Sequence, residues 1–185
     1  MEIRLETAQD LPAVRRVVSA AFGDEPIADL LDDLRTSTAW RGLSFVAESD
    51  GQVVGHVAFT RGWLDAPVGL LEVLVLSPLS VAPVAQGRGV GAELVRRTLE
   101  LLRDRPEPLV FVEGSPSYYG RLGFEPGEEH GFTRPSTRIP PAAFQFVRLR
   151  SYDSAMTGAL VYPDVFWAHD AVGPPPAQAP AQPSG

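Results

Sequence analysis

The stretch Leu79-Ser-Val-Ala-Pro-Val-Ala-Gln-Gly-Arg-Gly-Val-Gly-Ala92 decides how this chain is read. An apolar run ends in it, glycines follow at 87, 89 and 91, and helical spacing begins at once. The first N–H groups of a helix have no intrahelical partner, and its N-terminal end carries partial positive charge. Gly87, Gly89 and Gly91 hold no side chain that would keep a phosphate away from those groups. A strand, a glycine loop and a helix in this order point to a phosphate-bearing cofactor.

Working outward, residues 68–81 form a long, almost wholly apolar strand interrupted at Ser77-Pro78. A proline there implies a bulge or a local loss of pairing. After the loop, 90–103 reads as a helix with Val90, Leu94, Val95, Leu99 and Leu102 on one face. Residues 109–112 are a buried strand. Ser115-Pro116 opens a short helix carrying Tyr118 and Tyr119, which Gly123 ends. Upstream, 3–6 is a first strand, Asp10 caps a helix running to about Phe22, and Pro26 opens a second helix through Leu34. Residues 43–48 and 52–60 are strands joined at Asp50-Gly51, a strong hairpin signal. Residues 143–150 and 158–162 are late strands. This order predicts an α/β (α+β) chain with a central mixed sheet and helices on both faces. One domain spans 1–172, with a core at 1–150 and a terminal strand region at 151–172. Residues 173–185, all Gly, Pro, Ala, Gln and Ser, have nothing to bury and read as a disordered tail.

Composition narrows the function classes. The chain has 185 residues, 44% hydrophobic and 21% charged, enough for one sizeable core. It has no cysteine, which excludes disulfides, cysteine nucleophiles and thiolate metal sites. A net charge of −7 argues against general nucleic-acid binding, which needs a basic surface. No apolar run is long enough to cross a bilayer and no signal peptide is visible, so no membrane association and a cytoplasmic location are expected. His56, His130 and His169 show no metal-site spacing, and no metal is expected.

The glycine loop by itself leaves two readings open. Gly87-Arg-Gly-Val-Gly-Ala92 satisfies the dinucleotide fingerprint, and Glu113 lies roughly 20 residues on, where a ribose-binding acid belongs. Against a dinucleotide enzyme, a helix pair and a hairpin precede the loop, and no strand–helix alternation follows Glu113. The other reading comes from likeness. Val81-x-Pro83-x-x-Gln86-Gly-Arg-Gly-Val-Gly91 resembles the acyl-CoA motif of the GNAT superfamily of N-acetyltransferases. Tyr119-x-x-x-Gly123-Phe124 resembles a second segment of the same superfamily, in the right order and at a fitting separation. Ser77-Pro-Leu-Ser-Val81 and the Tyr118-Tyr119 pair are most similar to a bacterial branch of predicted acetyltransferases.

The resemblance implies a mostly antiparallel sheet whose central strand pair splays apart. It implies that the backbone of Leu79, Ser80 and Val81 pairs with the pantetheine arm of acetyl-CoA. The N–H groups of Gln86, Gly87, Arg88, Gly89, Val90 and Gly91 would hold the pyrophosphate, with Arg88 beside it. Arg96 and Arg97 read as an exposed helix face. Tyr119 would be the general acid for the departing thiolate. An alkyl thiol has a pKa of about 8.5 and a tyrosine about 10, so the step is modestly uphill. The base position within the long strand is not filled by a carboxylate. Glu72 and Glu113 are the two candidates. Trp63, in an expected loop over 61–67, is the foremost tryptophan for an acceptor pocket. The implied reaction is direct acetyl transfer to a primary amine, on a small molecule or a peptide. A silent CoA-binding sensor or scaffold stays open as an alternative, as does a homodimer.

Overall fold

The computed structural model describes residues 1–23 and 25–174. Most of the expected tail, 175–185, lies outside them. The strands are β1 (Glu2–Leu5), β2 (Trp40–Ser49), β3 (Gln52–Ala66), β4 (Gly69–Val81), β5 (Leu109–Glu113), β6 (Glu125–Pro126), β7 (Phe132–Thr133), β8 (Phe144–Arg148) and β9 (Gly158–Val161). The helices are α1 (Leu11–Phe22), α2 (Pro26–Thr36), α3 (Val90–Leu102), α4 (Pro116–Tyr119) and α5 (Asp164–Ala168). All strands join one sheet in the order β1-β2-β3-β4-β5-β8-β6, with β9 on β3 and β7 on β9. Among the described strand pairs, only β4–β5 and β7–β9 are parallel. The doubly wound parallel sheet of a dinucleotide enzyme is therefore ruled out.

Strand alternation sorts the core into two layers. On one face Phe45, Val57, Phe59, Leu74 and Val110 meet Val90, Leu94 and Val95 of α3. On the other, Val46 and Ala58 meet Val14 and Val18 of α1 and Leu31 of α2. That second face continues through Leu109, Phe111, Phe144 and Phe146 to Leu30, Leu34, Tyr162 and Phe166. The described helices include none long and apolar enough to cross a membrane.

Two local expectations change. Asp10 does not cap α1. Its carboxylate accepts from the Thr7 N–H at 2.8 Å and from Arg4 at 2.7 and 2.9 Å, because α1 is preceded by a separate helical turn over Ala8–Asp10. The expected loop at 61–67 is mostly strand. β3 runs on to Ala66, where Trp63 pairs with Glu72 on one side and Val161 on the other. Trp63 therefore lines neither cleft described below, and Arg61 stacks over its ring at 4.8 Å. Neither neighbouring strand is visible from residues 61–67 alone, which is why propensity there misleads.

Candidate active site

The site begins where two central strands part. β4 stays paired with β3 up to Val81 opposite Gly55. Its parallel pairing with β5 covers only Leu74–Val110 and Val75–Phe111. Between Leu76 and Leu79, β4 carries one residue more than β3, a bulge at Ser77-Pro78. The bulge twists the strand, and Pro78 has no N–H to donate. From Leu76 onward the β5-facing edge of β4 is open, so Leu79 and Val81 bring main-chain groups to a gap. Ser80, expected to join them, turns its main chain to β3, because Ala82 donates to the Val54 carbonyl at 2.9 Å and Ser80 repeats that pairing opposite His56.

The glycine loop closes one side of this gap. Gln86 donates its N–H to the Pro83 carbonyl at 3.3 Å, and its side-chain amide donates to the Val81 carbonyl at 3.0 Å. Gly87 and Gly89 hold φ of 72° and 82°, a region L side chains enter only with strain. The first N–H of α3 to find a helical carbonyl is that of Glu93, on Gly89 at 3.0 Å. Among the described residues, the N–H groups of 87–92 thus have no main-chain partner. The free run is shifted by one from the expected 86–91, because Gln86 turns its N–H back into the preceding turn. Of these residues, Gly87 and 89–92 line a cleft of 520 Å³. A Cβ on Gly91 would lie 2.7 Å from the Tyr118 hydroxyl, so the glycine lets that ring reach the start of α3.

Two arginines of this cleft were missed in the sequence reading. Arg96 and Arg121 line it, and Arg88 does not. Among the described residues, Arg96 and Arg121 form no salt bridge, while Arg97 pairs with Glu100 at 2.8 Å. Arg96 lies two helical turns from Gly89, on the same side of α3. That spacing was the available signal. Burial pushes the Tyr118 hydroxyl pKa up, and the nearby charges of Arg96 and Arg121 pull it back.

A second cleft, of 360 Å³, opens on the α1–α2 side of the same gap. Glu113 and Tyr119 both line it. Glu113 shares a strand face with Leu109 and Phe111 and so points away from α3. It does not face the glycine loop, which removes it as a ribose acid for a nucleotide held there. Its Oε2 accepts the Gly173 N–H at 3.1 Å. Its Oε1 has no hydrogen-bond partner among the described residues and is not sealed from the cleft. Burial raises the Glu113 pKa, against the opposing pull of that N–H and of Arg138.

Tyr119 stands in the gap itself. Its ring sits between Tyr118 and Phe124, with centroids at 5.0 and 5.4 Å, and leans over Gly114, where a Cβ would lie 2.3 Å from it. Burial raises its pKa well above that of an ordinary tyrosine. The hydroxyl is thus protonated at neutral pH, and its proton transfer to a thiolate is steeper than the reference values imply.

Glu72 is not brought to either cleft. Arg41 holds both its oxygens, at 2.5 and 3.1 Å, and lowers its pKa. From Glu72 to Leu79 the strand runs about 23 Å at roughly 3.3 Å per residue. His56 is fully buried on the α1–α2 face. Its Nε2 lies 2.8 Å from Ser44 Oγ and 3.2 Å from Glu6, which Arg35 also grips at 2.9 and 3.0 Å. It is a core group, with Nδ1 left unpartnered.

Comparison with known proteins agrees with this geometry. A family model described as "Acetyltransferase (GNAT) domain" matches residues 2–127. The uncharacterized N-acetyltransferase YjhQ of Escherichia coli K12 is 41% identical over 122 residues, 63% of this chain and 65% of that protein, just under two thirds of its length. The uncharacterized N-acetyltransferase YhbS of the same strain is 33% identical over 161 residues, 85% of this chain and 92% of that protein. The crystal structure of YhbS in complex with CoA superposes with a TM-score of 0.80 at 30% identity, covering 89% of this chain and 91% of that one. A GNAT family acetyltransferase from Brucella melitensis in complex with acetyl-CoA gives 0.72 at 31% identity, covering 89% and 97%.

Proposed function

The chain belongs to the GNAT family of acetyl-CoA-dependent acyltransferases, and on that premise we propose that it moves an acetyl group from acetyl-CoA to a primary amine by direct transfer. The observation that carries the reading is the β4–β5 gap, with a main-chain anion cleft on one side and a carboxylate-bearing cleft on the other. The free N–H groups of 87–92 and the uncommitted Arg96 and Arg121 suit a diphosphate. The open edge at Leu79–Val81 suits an extended amide-bearing arm, which would pair there as an added strand does. The thioester would then lie in the gap beside Tyr119.

Three tasks fall to the protein. It must let the amine lose a proton, hold the two reactants together, and protonate the departing sulfur. Among the described residues, Glu113 Oε1 is the one unpartnered carboxylate oxygen in the acceptor cleft, and its raised pKa suits a base. As the amine nitrogen bonds to the acetyl carbon and the C–S bond breaks, Glu113 takes the amine proton and Tyr119 supplies one to the sulfur. With Glu113 of β5 as the base, the missing carboxylate in the long strand no longer argues for a silent CoA-binding domain. Thiol release from acetyl-CoA, followed with a panel of amines, tests the reading. The expected result is amine-dependent release that Glu113→Gln and Tyr119→Phe both suppress. Tight CoA binding with no release on any amine would overturn it.

A further inference from the structure

The acceptor cleft has a chemical character of its own. Phe22, Ile27 and Leu30 bring apolar walls from the α1–α2 junction, Leu76 and Pro78 from the bulged strand, and Phe166 from α5. Among the described residues, Glu113 is the one charged side chain in the lining. No arginine lines the cleft among the described residues, and those of the surrounding elements are engaged except Arg16 of α1, which is exposed and outside the lining. Arg138, which acts on Glu113 from a distance, is paired with Asp170 at 2.6 Å. Arg15 of α1 is held by Glu25, Asp29 and Asp32, and Arg35 of α2 by Glu6 and Asp32.

From this we infer that the acceptor is a small primary monoamine on an aryl or alkyl skeleton, with no carboxylate and no second cation. The inference rests on the acetyltransferase reading for its reaction but on the cleft alone for its selectivity. A single carboxylate neutralises a single ammonium. An α-carboxylate beside the amine would enter an apolar cleft with no cation free to receive it, and would meet the negative charge of Glu113. A second ammonium farther along the chain would meet apolar side chains and the neutral hydroxyls of Ser77, Tyr119 and Tyr162, with no second carboxylate in the described lining. A charged group removed from water without a partner is strongly disfavoured. The skeleton carrying one amine meets no such penalty and removes apolar surface from water. At 360 Å³ the cleft sits at the small end of ligand pockets, which suits one ring or a short chain.

Two matched pairs test this. Phenethylamine and phenylalanine differ by one carboxylate, and hexylamine and 1,6-hexanediamine by one ammonium. Each is titrated into the CoA-loaded protein by calorimetry and, separately, assayed for thiol release from acetyl-CoA. Phenethylamine is expected to bind and react at least about tenfold better than phenylalanine, and hexylamine better than the diamine by a similar factor. Phe22 is 47% exposed at the rim, so Phe22→Arg leaves the core intact. That variant should narrow the phenethylamine–phenylalanine difference by giving the carboxylate a partner. Binding of the monoamines in this order without thiol release keeps the selectivity and overturns the acetyl-transfer reading instead. Equal or better handling of phenylalanine or the diamine overturns the inference, as does failure of all four amines to bind.

Discussion

The two clefts share one gap and are built from different materials. The α3-side cleft has a main-chain floor of unpaired N–H groups and two glycines at positive φ, flanked by Arg96, Tyr118 and Arg121. The α1–α2-side cleft is made of side chains from four distant parts of the sequence. On the proposed reading, the first would grip the cofactor and the second would discriminate among acceptors. The main-chain floor constrains glycine and spacing, and the side chains around it add to it. Side-chain sites can be rewritten one residue at a time.

Breaking the first cleft should have the largest effect. Gly89→Glu forces a side chain onto φ of 82° and sets an anion before the phosphates. CoA affinity by calorimetry should fall at least about 100-fold, while monoamine binding to the second cleft survives. Unchanged CoA affinity would remove the glycine loop from the site.

Next come the groups in the gap. Glu113→Gln and Tyr119→Phe should each lower kcat by about 100-fold, with CoA affinity within about twofold of wild type. A base works only when deprotonated. With its pKa raised by burial, Glu113 should place the acid limb of the pH–rate profile above the ordinary glutamate value of about 4.3. The rate falls as pH drops through that limb, and Glu113→Gln should erase it. A limb that persists in the variant would assign the base elsewhere.

A smaller effect separates the arginines. Arg96→Ala and Arg121→Ala should each weaken CoA binding by about tenfold, as expected for a lost charge-assisted hydrogen bond. Arg88→Ala and Glu72→Gln should leave binding and turnover within about twofold. Equal losses for Arg88 and Arg96 would return Arg88 to the phosphates.

The smallest effect concerns the layers beneath the clefts. The α1–α2 face buries the Glu6–His56 network, whereas the α3 face buries no charged pair of this kind among the described residues. Burial lowers the His56 pKa, so the unfolded chain takes up a proton first as pH falls through about 6.5. Burial would raise the Glu6 pKa, but hydrogen bonds from His56, Ser44 and Arg35 bring it to about 2. Its contribution is present above pH 4.5 and is lost as pH falls from there toward 2. The melting temperature should therefore drop on acidification from pH 7, by about 2–4 °C for each kcal/mol lost. Hydrogen exchange should rise in α1 and α2 before α3. Equal protection of both faces at pH 5 would contradict this ordering.

Much of the fold was legible because its signals are local. The hairpin at Asp50-Gly51, the period of α3 and the interruption at Ser77-Pro78 each depend on neighbours in sequence. Where the sequence misled, the deciding partner was remote. Residues 61–67 look like a loop until β4 and β9 pair with them. Asp10 looks like a cap until Arg4 takes its carboxylate. Glu72 and Glu113 were equivalent candidates, and only Arg41 on one and an open cleft on the other tell them apart.

The amino-acid order alone determined the glycine turn over residues 86–91, because backbone conformation there follows from glycine and proline. It also determined the family likeness that the turn and Tyr119-x-x-x-Gly123-Phe124 carry together. The tertiary structure decided which acid opens on the second cleft, which arginines line the first and what else surrounds the second. Those properties belong to side chains brought together from positions more than a hundred residues apart, such as Ile27 and Phe166. Their proximity exists only after the sheet has formed and buried its two faces.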